Sequence, residues 1–170
     1  RWFRHMEPYM DRTTLILGYS DKQLIELNRL FNNQEIYYLR FGDSWDKPAN
    51  QSFDLTCQLP GCQSVSIMAL MVAIYIGCSD IYLLGTDHTV FKLDTAQFDY
   101  VHFYDGEAKS DYFEHVAPDD MEDEFRAIAN LWRQYKYLRT LVNKKNVTIS
   151  NATGSGILDL FPRVDYKTLF

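Results

Sequence analysis

The sequence predicts an α/β fold, with a mostly parallel sheet flanked by helices. Three observations carry that expectation. Residues 67–76 are apolar on every side of a helix, which asks for cover on most sides. Past Gly77 comes Asp80-Ile81-Tyr82-Leu83-Leu84-Gly85, a strand without polar alternation, as expected where a parallel sheet is covered on both faces. A long amphipathic stretch over 121–142 then leads into a second short β-type run at 147–150, so helices and strands alternate.

The elements follow in order. Residues 1–11 show no clear period, and 13–17 form a β-type run ended by Gly18. Ser20 and Gln23 spell a capping box, in which each side chain satisfies an orphan backbone N–H. Leu24, Leu27 and Phe31 then fall on one helical face, which Asn32 and Asn33 stop. Ile36, Tyr37, Tyr38 and Leu39 place a strand within 35–41. Residues 42–61 read as a loop with one short strand at 53–57. Pro60-Gly61 opens a turn, Ser64 or Ser66 caps the apolar helix, and Gly77 supplies a left-handed stop. Residues 86–118 have poor periodicity and much Asp, His, Tyr and Phe, which suits a lid or binding loop.

Asp119 and Glu122 form a second capping-box pattern. The helix behind it carries the stripe Met121, Phe125, Ile128, Trp132, Tyr135 and Val142. Acids crowd its first turn, and Lys136, Arg139, Lys144 and Lys145 its end, as the helix dipole favours. After the strand at 147–150 the tail closes with a turn at 166–170. Together these elements describe one Rossmann-like domain over residues 1–170.

Bulk composition narrows the function. A chain of 170 residues is long enough for one domain with a real core. Its 46% hydrophobic and 15% aromatic content argues against disorder. The net charge of −6 repels nucleic acid and anionic lipid, while leaving room for a local basic pocket. The longest apolar run, 67–76, is too short to span a bilayer, and no signal peptide is visible. A cytoplasmic protein without a transmembrane segment is expected. Cys57, Cys62 and Cys78 are an odd set without zinc spacing, so reduced thiols are expected. Trp2, Phe3 and Phe170 are expected to be exposed, pointing to a missing partner segment or a homo-oligomer contact.

In open parallel sheets, ligands bind beyond the carboxyl ends of the strands. That edge receives Gly85-Thr86-Asp87-His88, where glycine allows close approach and Asp87 and His88 offer polar chemistry. Capping of the next loop by Asp87 is the plainer alternative. The turn Gly61-Cys62-Gln63-Ser64-Val65-Ser66 offers free N–H groups to a phosphate or carboxylate, unless Ser64 or Ser66 simply caps the helix. His115, ahead of Pro118, can take a proton from an attacking hydroxyl near pH 7, or be an ordinary loop histidine. Tyr104 and Tyr112 can donate phenol hydroxyls to a phosphate or pack the loop down. His88, His102 and His115 with Asp87 or Asp94 match no metal-ligand spacing, so no metal is expected. No nucleophile elbow, P-loop or complete G-x-G-x-x-G is present.

The block SVSIMALMVAIYIGCSDIYLLGTDHT, residues 64–89, resembles the central block of the bacterial lipooligosaccharide sialyltransferases. It is also similar to the related domains of motility accessory factors and of archaeal-type hydroxymethylpterin diphosphokinases. The shared pattern is a small-residue turn, an apolar helix, Gly, then a strand ending in Gly-x-Asp, and the resemblance covers roughly residues 59–170. It implies a Rossmann-like glycosyltransferase that moves a sialic-acid-like sugar from a CMP-activated donor to a glycan acceptor in surface polysaccharide biosynthesis. It implies no cofactor beyond that nucleotide-sugar.

The same resemblance gives His115 the role of general base and sets Tyr104 and Tyr112 on the donor phosphate. It turns Ser64 and Ser66 toward the donor sugar, puts Gly85 and Asp87 at the strand exit, and brings Asn151 near the nucleotide. His88-Thr89 stand where the family has a tyrosine, and Val65-Ser66 where Ser-Gly is usual. The family's opening strand and G-x-G-x-S-L loop are not found; Leu17-Gly18-Tyr19-Ser20 is at most a relic. The chain opens on Arg1, so one reading is a C-terminal fragment lacking its first β-α unit, and the other a divergent branch. Two further functions stay open: a Mg²⁺-dependent diphosphokinase of the hydroxymethylpterin type using Asp87 and a second carboxylate, and a non-catalytic domain of a polysaccharide-assembly protein. Under the glycosyltransferase reading, His115→Ala lowers sugar transfer by about 100–10,000-fold with the fold intact. Transfer assays beside circular dichroism check this, and a fully active variant removes His115 from the role.

Overall fold

Two pairs of parallel strands organise the chain, each within its own compact unit, 1–62 and 63–170. The structure is a computed structural model that describes residues 2–42, 53–88 and 121–169. Tyr104, Tyr112 and His115, most of the 86–118 loop, and the capping residue Asp119 lie outside the described residues.

The first unit runs α1 (Trp2–Met6), a 3-10 turn, β1 (Leu15–Gly18), a second 3-10 turn (Tyr19–Asp21), α2 (Lys22–Asn28) and β2 (Ile36–Leu39). Leu15 pairs with Ile36 and Gly18 with Leu39, so α2 is the crossover of a β-α-β unit. Residues 1–11, without sequence period, hold a helical turn tied to the core. Glu7 Oε1 accepts the Phe31 N–H at 2.6 Å, and Gln34 Nε2 donates to Met10 O at 3.3 Å. Phe3 is not an exposed residue seeking a partner; its ring meets that of Phe31 edge-on at 5.9 Å, beside Leu15, Ile25 and Leu30.

Three further local expectations fail in this unit. No capping box forms, because the chain makes a 3-10 turn before α2, and Asp21 stands at the N-cap without a side-chain cap bond. The buried helical residue is Ile25, 2% exposed, whereas Leu27 is 75% exposed. The reason is length. Arg29 turns left-handed (φ 51°), and Leu30 N–H closes onto Ile25 O as in a Schellman motif, so Phe31 enters the core from beyond the helix. Residues 53–57 form a turn rather than a strand. Asp54 Oδ1 accepts both the Thr56 N–H (2.9 Å) and its hydroxyl (2.8 Å), the local bonding through which aspartate competes with a ladder. The sheet instead gains a bridge between Phe41 and Leu59.

The second unit runs α3 (Val65–Tyr75), β3 (Asp80–Leu83), α4 (Met121–Val142), β4 (Thr148–Asn151) and a final 3-10 turn at Tyr166–Thr168. β3 and β4 pair in parallel, Asp80 with Thr148 through Leu83 with Asn151. Gly77 takes the left-handed conformation (φ 89°) that stops α3. α3 buries Ile67, Leu70, Met71 and Ile74 on one face, while Val65, Ala69 and Tyr75 stay exposed, so cover on most sides does not hold. β3 also buries one face: Leu83 is inside, Tyr82 outside. Tyrosine tolerates this because its hydroxyl end suits water. α4 buries Leu131, Tyr135, Leu138, Leu141 and Val142, but Phe125, assigned to the same stripe, is exposed. Past β4 the chain returns beside it: Asn151 N–H donates to Pro162 O and Val164 N–H to Asn151 O.

The architecture is thus mixed α/β with short parallel strands. Among the described residues no helix is long and apolar enough to cross a membrane. None of the three cysteines is in a disulfide, and burial pushes the Cys62 thiol up to about 12, leaving it unreactive. The helix-face assignment is open to test. Ile25→Ala costs about 2–5 kcal/mol in urea melts, whereas Leu27→Ala stays within about 0.5 kcal/mol. Equal losses contradict the observed face.

Candidate functional site

Because β3 and β4 run parallel, the chain leaves both at one edge of the second unit. The exits are stitched together. Ala152 N–H donates to Leu83 O at 2.8 Å, and Thr153 Oγ1 accepts the Thr86 N–H at 3.1 Å. Asn151, wholly buried, donates from Nδ2 to Leu158 O (3.1 Å) and accepts the Thr153 N–H at Oδ1 (2.9 Å). Its side chain therefore shapes the loop after β4 from beneath. Arg163 ties the same loop by donating to Thr153 O (3.0 Å) and Gly156 O (2.7 Å).

Asp87 lies under this loop. Ile157 N–H donates to Asp87 O at 2.8 Å, and Gly156 (φ 102°) sits so close that a Cβ there would collide with the Asp87 backbone. Beyond Gly85 (φ 74°) the chain is left-handed again at His88 (φ 51°). Histidine tolerates that conformation better than bulky or β-branched residues do.

The His88 imidazole begins a line of hydrogen bonds. Its Nε2 lies 2.8 Å from Tyr135 Oη, which lies 2.8 Å from Ser66 Oγ, in turn 2.8 Å from Ser64 Oγ. Trp132 packs edge-on against the imidazole at 5.6 Å and donates its Nε1–H to Asp159 Oδ1 at 3.1 Å. Gln134 Oε1 accepts the Gln63 N–H at 2.9 Å, fixing the turn that leads into α3. Ser64 is the N-cap residue of α3 by position, yet its hydroxyl makes no cap bond and faces Ser66 instead. The expected capping by Ser64 is replaced by this line.

Burial holds the His88 imidazole below its ordinary 6.5, against the opposing pull of the Asp87 carboxylate. Burial likewise raises Tyr135, offset in part by the hydroxyls of Ser66 and Ser64. The site thus pairs a neutral imidazole with a protonated phenol at neutral pH, groups suited to hydrogen bonding rather than to charge neutralisation.

Of the residues singled out in the sequence, Ser64, Ser66, Gly85, Asp87 and Asn151 all belong to the second unit, and the strand exits, the α3 turn and α4 connect them. Sequence reasoning missed Tyr135, Trp132 and Gly156. Tyr135 read as one of several stripe positions; the overlooked signal was that a buried phenol needs a partner for its hydroxyl. Among the described residues no group of three or more His, Cys, Asp or Glu is placed to hold a metal ion. A separate hollow of about 540 Å³ lies against the last turns of α4 and the start of β4, lined by Arg139, Asn143, Thr148 and Pro162 among others. Comparison with protein-family models, with curated proteins and with solved structures finds no match for this chain.

Two measurements test the geometry. Gly156→Ala loses about 1–3 kcal/mol of stability, since the new methyl group meets backbone and the φ angle is strained; denaturant melts check this. Protonation of His88 is harder in the folded chain than in the unfolded one, so its contribution is full above pH 6.5 and is lost as pH falls toward the lowered folded value. His88→Gln therefore flattens the stability profile between pH 7 and 5 relative to the parent. Parallel profiles rule out the burial effect.

Proposed function

We propose that the chain is a glycosyltransferase domain that transfers a sialic-acid-like sugar from a CMP-activated donor to a glycan acceptor, with the donor held at the carboxyl edge of β3 and β4. One observation carries this reading. The segments that the resemblance to lipooligosaccharide sialyltransferases turns toward the donor (Ser64 and Ser66, Gly85 and Asp87, Asn151 to Thr153) come from distant parts of the sequence and belong to one bonded assembly. Carboxyl edges of parallel strands are where α/β proteins take ligands.

In this reading His115 takes the acceptor hydroxyl proton as that hydroxyl attacks the anomeric carbon, and Tyr104 and Tyr112 steady the departing phosphate. The partners are the nucleotide-sugar donor and the glycan acceptor, and no metal is required. Calorimetric titration with CMP and with ATP, each with Mg²⁺ and with chelator, is the test. CMP binding that chelator leaves unchanged is expected. Mg²⁺-dependent binding of ATP alone replaces the reading with a diphosphokinase, and binding of neither leaves a domain without nucleotide chemistry.

A further inference from the structure

We propose that His88 serves the strand exit as a tautomer-fixed hydrogen-bond donor, offering its Nδ1–H to an anionic oxygen of the bound ligand. The direction of the hydrogen-bond line decides the tautomer. A phenol is a better donor than an alkyl hydroxyl, and an imidazole nitrogen is a better acceptor than a hydroxyl oxygen. Tyr135 therefore donates to His88 Nε2 and accepts from Ser66, and Ser66 accepts from Ser64. With Nε2 accepting, a neutral ring carries its proton on Nδ1. Among the described residues no acceptor faces that N–H, and the ring is only half-buried, so a ligand oxygen can reach it.

Three features hold the ring in place. Trp132 and Tyr135 flank it at 5.6 and 5.5 Å. Gly156 and Ile157 clamp the preceding residue. The left-handed backbone at His88, sparsely populated for a side-chain-bearing residue, is kept by that clamp. Among the described residues the charged and titratable groups around it are Asp87 on its own segment, Tyr135 on α4, and Asp159 behind Trp132. The Asp87 carboxylate favours the imidazolium, and burial opposes it. A neutral donor recognises a phosphoryl or carboxylate oxygen without needing a proton from solvent. The anionic oxygen, as that of the CMP phosphate, rests on the function proposed above; the tautomer does not.

Long-range ¹H–¹⁵N spectra of the full chain with labelled histidine read the tautomer of each of its four histidines, with His88 assigned by its loss in His88→Gln. Protonation at Nδ1 is expected in the parent, moving to Nε2 in Tyr135→Phe. Protonation at Nε2 in the parent overturns the proposal, and this reading needs no variant of Tyr135 to fold. Inorganic phosphate is then added. A shift of the His88 Nδ1 resonance is expected, and its absence overturns the anionic-oxygen role. Finally, CMP affinity falls about 10–100-fold in His88→Phe, which lacks a donor, and is retained in His88→Gln, which keeps one. Equal affinity in parent and His88→Phe overturns the role at CMP. A parent that binds no CMP yet shows the tautomer and the phosphate shift refutes the glycosyltransferase reading and leaves this one standing.

Discussion

The hydroxyl of Tyr135 is wholly buried and must be hydrogen-bonded, and much of the second unit is arranged around that requirement. The ring belongs to the apolar face of α4, where it meets Phe161 edge-on at 5.8 Å beside Leu138. Its polar end then meets Ser66 and His88. One residue therefore sets the position of α4 against the α3 turn and against the exit of β3 at the same time. Removing the hydroxyl leaves two partners unsatisfied rather than one, and such asymmetry is what makes buried polar links specify a single arrangement.

A second constraint acts on the backbone. Short parallel strands leave their ends loose unless something ties them, and here the ties are polar atoms of the following residues. Thr153 takes the Thr86 N–H, Asn151 takes the Thr153 N–H, and Arg163 gathers the carbonyls of 153 and 156. None of these bonds lies in a ladder. They convert a two-stranded ribbon, marginal alone, into a fixed edge on which side chains keep their places.

What was legible in the sequence was the run of elements, and what was not was which face each one buries. The stretch from residue 64 to 85 announces turn, helix, glycine and strand, and the chain obeys it, down to the left-handed Gly77. Period alone failed at α2, because Leu24, Leu27 and Phe31 match a helical stripe only if the helix continues, and it ends at Asn28. It failed again at β3 and α3, where apolar composition suggested two-sided cover and the chain buries one side. Ser64 and Ser66, Asp87 and Asn151 were visible as chemistry-bearing positions. Tyr135 and Gly156 were not, since their roles are defined by contacts 69 residues away at Ser66 and 69 residues away at Asp87.

Backbone outliers sort the ordinary from the unusual in this fold. Arg29 and Asn146 are left-handed, but each ends a helix whose last carbonyls are closed by the following N–H groups, a common use of that conformation. Arg12 and Phe31 sit in tight turns closed by Met10 O and Phe31 O. His88 differs. No helix ends there, and what holds it is tertiary: the bond from Ile157 to Asp87, the glycine against its neighbour, and the phenol on its ring. Strain kept by long-range contacts, on a titratable residue at a strand exit, is the pattern that separates a site from a turn.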